Sequence, residues 1–419
     1  MSTGSAIAVS GERVHADLRD RVPRTPRPMD GLTRIVVFLL SMFVVVLPTD
    51  LRILDGKSLA MRLGYACLMV GIVAVIKRRT AVLPSSGFWC LLGFVLWSSC
   101  TLVWAQFPEA AHHKALEYWL LFAVVAIIPQ FAWAPRIRGI LMDAYIAGCW
   151  LGVIGLVVNY SAAIQYSAEG AADMEGRYSF GTDPNYLALA LVIGLPLAFY
   201  RFSSVHAAWQ KAFTLLYAPA ALAGVVLTGS RGATIALLAT VLALGLFTSW
   251  RTRLLLAGGA ALCMAVVTFL PSQVSERLST IPDELRYGTL SDRRELWDRG
   301  TVVAEQHPIE GVGAGATAGM FDIAAHNTPL ELTMEGGAVS LALFFGAGLL
   351  GIRRTWRNNP QEGRAAVAVC AAWLVGSLSL SWEVNTVTWF ILAMLFSAGS
   401  QRIQFPKPMS ARQAFARPA

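Results

Sequence analysis

Charged residues are scarce in this chain: they make up 14% of its 419 residues, against about 25% in a soluble globular domain. With 55% hydrophobic residues and a mean hydropathy of +0.55, that scarcity excludes a soluble protein with a large core and reads as a membrane protein. Cysteine is also sparse. Cys67, Cys90, Cys100, Cys149, Cys263 and Cys370 all lie in apolar runs, and none forms a CxxC or a Cys/His cluster. They read as small lipid- or core-facing residues, not disulfides or metal ligands. There is no Walker motif, no GxSxG and no haem or zinc spacing. Gly311-x-Gly313-x-Gly315 follows no strand signal, so it fails the context that a dinucleotide fingerprint requires. The first 30 residues lack the apolar core of a signal peptide, and the first apolar run is expected to be the insertion signal. The net charge is +8. Nucleic acid is not expected as a partner, because the basic residues sit in short segments between apolar runs.

What the chain has in quantity is apolar runs near the ~20 residues that cross a bilayer. They lie near 32–49, 58–76, 85–104, 115–134, 139–159, 184–200, 211–228, 232–249, 253–270, 328–352, 365–381 and 386–400. The expectation is an all-α polytopic membrane protein with about twelve transmembrane helices. A polar tail covers 1–31 and another 401–419. Nine spans lie within 32–270, with an outer loop at about 160–183, and three lie within 328–400. A long loop at 271–327 contains short helices. Lys and Arg sort unevenly between the two sets of connections. With the N-terminus inside, the inner segments hold 23 of the 34. Both termini are therefore expected to be cytoplasmic. Ser291 is placed to cap a short helix ending at about Gln306, and Gly311–Gly315 reads as a flexible stretch after it.

Four polar segments meet apolar runs on the outer face of this layout. Arg231 lies in Gly229-Ser230-Arg231-Gly232, between two long runs. Glycines that let backbone N–H groups approach an anion suit a phosphate site, while a snorkelling Arg in an interfacial turn explains the same residues. Arg177 and Asn185 flank the start of the sixth run as candidate ligand groups, although Asp183 before Pro184 is by itself a sufficient helix start. Arg293 and Trp297 share a helical face suited to phosphate and to a sugar or lipid chain; a solvated helix with an aromatic anchor is the plainer reading. Arg294 is a weaker phosphate candidate, because it points elsewhere. His326 precedes Asn327-Thr328-Pro329-Leu330-Glu331, where Thr328-x-x-Glu331 reads as a capping box with Pro329 at the first helical position. The positive helix end keeps the imidazole neutral and able to accept a proton. Glu331 and Glu335 follow at helical spacing, and either is placed to orient the ring. Asp173-x-Glu175 has the spacing of a divalent-cation pair, but nothing nearby repeats it, and no metal or cofactor is expected.

Three permanent cations and one proton acceptor on one face suit a substrate with a phosphate or diphosphate at the membrane surface. In their order and spacing, Ser230-Arg231-Gly232, Arg293-x-x-x-Trp297, Pro308-x-x-Gly311-x-Gly313-x-Gly315 and His326-Asn327-x-x-Leu330-Glu331-x-x-x-x-Gly336 resemble the O-antigen ligase superfamily, which includes O-antigen polymerases and protein O-oligosaccharyltransferases. The resemblance covers residues 177–337 by motif. It implies a C-type glycosyltransferase-like architecture in the bacterial inner membrane, with a periplasmic site. The implied donor is undecaprenyl-diphosphate-linked O-antigen, and the implied acceptor in the ligase is a sugar hydroxyl of lipid A–core, reached without metal. By the same resemblance Arg177 and Arg293 match diphosphate-binding arginines and His326 the base. A polymerase or protein oligosaccharyltransferase using the same donor is the nearest alternative. A polyprenyl-glycan transporter is the alternative from another class, and no paired broken halves point to it. The oligomeric state is not readable from the sequence.

Overall fold

The computed structural model describes residues 29–53, 57–166, 177–250 and 293–404, together with positions 253, 258, 280, 281, 283 and 288. The described chain is mostly helical. Most helices start where a polar side chain or a proline supplies a cap. Asp30 accepts the Thr33 N–H at the start of α1 (Gly31–Val46), and Ser58 and Ser85 do the same for α2 (Leu59–Arg78) and α3 (Ser86–Cys100). Prolines open α4 (Pro108–Ala132) and α5 (Pro135–Ser161). Asp183 with Pro184 opens α6 (Pro184–Ser204), as the sequence indicates. Gly229, left-handed at φ 61°, ends α7 (Ala208–Thr228), and Ser230 caps α8 (Arg231–Leu246), so one two-residue break separates two apolar helices. After α9 (Arg293–Gln306) and α10 (Ala316–Phe321) come α11 (Thr328–Asn358), α12 (Pro360–Ser377) and α13 (Thr386–Ser397).

Seven of these helices are long and apolar enough to cross a membrane: α2, α3 with the 3-10 turn that follows it, α4, α5, α6, α7 and α11. Three more of the expected runs are occupied by shorter apolar helices: α1, α8 and α13. The run at 365–381 corresponds to α12, which opens with Glu362 and Arg364. Apart from positions 253 and 258, the run at 253–270 lies outside the described residues, as does the expected Ser291 cap. The short lengths of α8 and α13 have a local cause. Each is preceded by non-helical backbone: 229–230, which is buried, and 378–385, which is buried over 380–383. Trp382 and Glu383 are both 0% exposed. Irregular backbone at such depth survives only where protein satisfies it.

The two ends of the bundle differ. At one end Arg78 pairs with Asp30 at 2.9 Å, Arg138 grips Glu362 through two hydrogen bonds, and β3 (Thr80–Val82) pairs antiparallel with β4 (Arg402–Gln404). The first and last described segments therefore share this end. The other end gathers the small β1–β2 hairpin (Arg52–Ile53, Lys57–Ser58), residues 177–183, the 229–230 break, α9, α10 and 378–385. Between the ends, Phe94, Tyr118, Phe344 and Trp389 form one aromatic cluster, with ring centroids 4.9–6.5 Å apart.

α11 is broken at Gly336–Gly337, where Gly337 takes φ 65°, ψ −166°. That backbone region is essentially reserved for glycine, and a Cβ there would lie 2.0 Å from the Ile309 carbonyl oxygen. The break releases carbonyls, and the preceding loop repairs them. Val312 N–H donates to Met334 O, Gly313 N–H to Glu335 O and the Trp97 indole to Gly336 O. Gly311–Gly315 is therefore a packed strap over the kink, and the sequence reading of it as flexible is corrected. Its glycines are there because neighbouring backbone occupies the Cβ positions, within 2.5 Å at both Gly311 and Gly313.

Candidate functional site

The 378–385 segment organises the site. It contacts at least three other parts of the chain. Arg293 Nη1 donates to Ser379 O at 2.7 Å. The His326 N–H donates to Ser381 Oγ at 3.0 Å, and the Trp382 N–H donates to Thr328 Oγ1 at 2.7 Å. The Thr328 hydroxyl donates to Leu380 O. Gly232, in the first turn of α8, packs directly on Ser379. The segment thus brings the α8, α9 and α11 N-terminal regions together. Arg231, Arg293 and His326 are carried on those three elements, at one end of the bundle.

Capping at His326 differs from the expected box. Asn327 is the N-cap, its side chain accepting the Leu330 N–H at 3.1 Å. Thr328 cannot cap, because Leu380 and Trp382 hold its hydroxyl. Glu331 cannot complete a box, because it is drawn into a buried ion cluster. Lys114 Nζ lies 2.7 Å from Glu331 Oε1, 2.8 Å from Glu335 Oε2 and 3.2 Å from Glu383 Oε1. One ammonium thus serves three buried carboxylates. Neither Glu331 nor Glu335 hydrogen-bonds the His326 ring, so the expectation that one of them orients it is corrected. Glu331 acts on the backbone instead: the Ser381 hydroxyl donates to Glu331 Oε2 while accepting from the His326 N–H. His326 is thereby held at φ 51°, a left-handed conformation that histidine, asparagine and aspartate adopt more readily than most.

His326 is partly buried, and its Nδ1 is enclosed without a hydrogen-bond partner. Burial first, and then the Arg293 guanidinium, lower its pKa to about 4, against smaller opposing pulls from Asp183 and Glu331. The ring is neutral at pH 7, for reasons beyond the helix end. Burial and the Glu331 carboxylate push Glu383 up to about 8 despite Lys114. The Thr328 hydroxyl, which donates to Leu380 O, also lies 3.3 Å from Glu383 Oε2.

The other sequence candidates fall into place around this frame. Arg177 is 2% exposed; it donates to Thr228 O at 3.0 Å and to Asn185 Oδ1 at 2.8 Å. Asn185 also accepts from the Ser230 hydroxyl. Arg177 and Asn185 therefore brace the 228–231 turn. Arg231 Nη1 lies 3.4 Å from Thr280 Oγ1. The Trp297 indole donates to Ala325 O at 2.8 Å, fixing the residue before His326. Arg294 is exposed on α9. The Asp173/Glu175 pair lies outside the described residues, and among the described residues no cluster of three or more His, Cys, Asp or Glu is arranged to hold a metal. Sequence reasoning passed over Lys114, Ser381 and Glu383. Two signals pointed to them. Glu383 is a lone acid between two apolar runs, and a helix opened at Pro108 carries Lys114 beside the buried Ala111, Ala115 and Tyr118.

Beside this frame lies a cavity of about 950 Å³. Asp183, Tyr186 and Ser381 line it at the site end, and α1, α2 and α4 wall it further in.

No curated protein matches the chain. Residues 216–345 match the family model described as O-Antigen ligase. The match takes in Arg231, Arg293, Trp297, His326, Glu331 and Glu335, and leaves Lys114, Arg177 and the 378–385 segment outside it. That stretch, 130 of the 419 residues, is what is similar to the O-antigen ligase family.

Proposed function

We propose that the protein is an O-antigen ligase, transferring a glycan from undecaprenyl diphosphate to a sugar hydroxyl of lipid A–core at the periplasmic face of the bacterial inner membrane. The observation that carries this reading is a neutral His326 held on the same 379–381 backbone that Arg293 grips. A neutral imidazole accepts the acceptor hydroxyl's proton, and its enclosed Nδ1 leaves Nε2 as the nitrogen to do so. Arg293 and Arg231 meet the negative charge that grows on the departing diphosphate. The hydroxyl oxygen bonds to the anomeric carbon as the carbon–oxygen bond to the diphosphate breaks, so one displacement inverts that carbon. The diphosphate leaves as a stable anion, and the chemistry asks for no general acid.

Other members of the superfamily share this donor and differ in acceptor. The test is transfer by the purified protein from lipid-linked glycan, with lipid A–core, a second lipid-linked glycan and an acceptor protein run in parallel. Product on lipid A–core alone supports the ligase. Product on the second lipid-linked glycan or on the acceptor protein assigns a polymerase or an oligosaccharyltransferase, and movement of the intact donor without transfer assigns a transporter.

A further inference from the structure

We infer that Asp183 is the residue that selects the acceptor sugar, its carboxylate taking a hydrogen bond from the hydroxyl next to the one that attacks. The inference rests on the transferase reading above and adds a recognition contact for one sugar ring of the acceptor.

Place in the fold is the first argument. Asp183 is half-buried and lines the 950 Å³ cavity together with Tyr186 and Ser381. Tyr186 follows it by three positions, so the two lie on one side of the first turn of α6. The Tyr186 hydroxyl donates to Ser381 O at 3.5 Å, and the Ser381 hydroxyl oxygen accepts the His326 N–H at 3.0 Å. Asp183 and His326 are therefore joined through one pair of cavity-lining residues, and the field of the Asp183 carboxylate reaches the imidazole.

Chemistry is the second argument. As the N-cap of α6, Asp183 accepts the Asn185 N–H at 2.7 Å through Oδ1. Serine, threonine or asparagine would cap as well, so the cap accounts for one oxygen and not for the charge. The second oxygen is available to a hydroxyl that enters the cavity. A carboxylate is a strong acceptor for hydroxyls and repels phosphate. Beside His326 it therefore suits the acceptor sugar and not the departing diphosphate. His326 takes the proton of the attacking hydroxyl, while the neighbouring hydroxyl on the same ring donates to Asp183, which stays ionised throughout.

Rigidity is the third argument. The 179–183 segment is tied down before any substrate arrives. Asn159 Nδ2 donates to Ser179 O at 2.6 Å, and the Ser179 hydroxyl donates to Thr182 O. Gly181 takes φ 81°, and a Cβ there would collide with Thr49 O. Beyond the cap, the Asn185 side chain accepts from Arg177 and from Ser230. One helical turn thus fixes Asp183 on the cavity side and the Arg231 turn on the other, which sets the spacing of acceptor and diphosphate about His326. A carboxylate placed in advance loses little freedom when its ligand binds.

The test uses the purified full-length protein in nanodiscs, with undecaprenyl-diphosphate-linked O-antigen as donor and lipid A–core as acceptor. Binding of delipidated core oligosaccharide and of undecaprenyl diphosphate is measured on the same samples. Asp183→Ser and Asp183→Asn both keep an N-cap. Serine removes the second oxygen, and asparagine puts an NH2 donor in its place. Each is expected to raise the acceptor KM and to weaken core oligosaccharide binding by about tenfold or more. The donor KM and undecaprenyl diphosphate binding are expected to stay as in the wild type, which also shows that the variants fold. Wild-type acceptor KM and core binding in both variants overturn the inference. So does a raised donor KM, and so does a fall in kcat with a shifted acid limb at unchanged acceptor KM, because Asp183 would then act only through His326. Each of these results leaves the transferase reading standing. Core oligosaccharide binding that both variants lose, with no glycosyl transfer to any acceptor by the wild type, overturns the transferase reading instead and keeps Asp183 as a sugar contact.

Discussion

Replacing Lys114 by Met should unseat the site without touching any residue assigned to substrate. Lys114 Nζ is within 3.2 Å of three carboxylates whose side chains are 0–6% exposed. At an effective dielectric of about 20, a unit pair 2.8 Å apart interacts by roughly 6 kcal/mol. Desolvation offsets much of that, and breaking a buried pair from one side costs about 3–5 kcal/mol in practice. Whole-protein stabilities are about 5–15 kcal/mol, so Lys114→Met should remove a large fraction of the total. Lys114→Met/Glu383→Gln, which deletes the most buried carboxylate as well, should recover part of the loss. The pH response gives a second signature. A carboxyl raised in the fold stabilises it below the unfolded value, and that contribution is lost as pH rises through the folded value. For Glu383 the window runs from 4.5 to about 8 in the wild type, and in Lys114→Met its upper limit moves higher still. Tryptophan fluorescence during unfolding in detergent, between pH 5 and 9, reads both effects. A loss below about 1 kcal/mol, the value of an exposed ion pair, with no added pH dependence, would refute the keystone role.

Other outcomes follow from the same geometry. His326 is held at about pKa 4, so the acid limb of kcat/KM should fall near pH 4 and not near the 6.5 of a free histidine; because the unfolded ring protonates first, His326 should make stability fall as pH drops from 6.5 to 4. A limb at 6.5 would mean that His326 is solvated or is not the base. Gly337→Ala forces a Cβ against Ile309 O at a backbone region that costs non-glycine residues about 1–3 kcal/mol, and should loosen the Gly311–Gly315 strap; wild-type hydrogen exchange there would contradict the repair role. Arg177→Met leaves the buried Thr228 carbonyl short of a donor, at about 1–3 kcal/mol, and should weaken donor binding through the Arg231 turn. Arg294→Ala, on the exposed side of α9, should change neither stability nor donor affinity.

The membrane-embedded plan was readable because apolar run length and charge distribution are local properties. The helices at 58–76, 85–104 and 184–200 needed no knowledge of their neighbours. The grouping of Arg177, Arg231, Arg293 and His326 at one end follows from the alternation of those runs, as does the break at Gly229–Ser230. What sequence could not show is which partner each polar side chain chooses. Thr328 and Glu331 have capping-box spacing, but a segment more than 50 residues later takes the Thr328 hydroxyl, and Lys114, 217 residues earlier, takes Glu331. Such long-range bonds outweigh a local cap and moved the N-cap to Asn327. Arg177 looked like a ligand group because nothing nearby in sequence explains a buried arginine, and its acceptor is the end of a helix 51 residues on. Lys114 was missed because the run His112-His113-Lys114 reads as a polar loop unless the helix is started at Pro108.

The central claim is that a neutral His326 takes the proton of an acceptor hydroxyl beside a lipid-borne diphosphate. The most direct measurement is single-turnover transfer by purified His326→Asn, compared with wild type, in EDTA and with donor binding measured on the same samples. Asparagine keeps the left-handed backbone and the N–H that donates to Ser381, but it cannot act as the base. The prediction is wild-type donor binding and a transfer rate lower by about 10²–10⁴, with an inverted anomeric carbon in the wild-type product. Transfer by His326→Asn at the wild-type rate would contradict it.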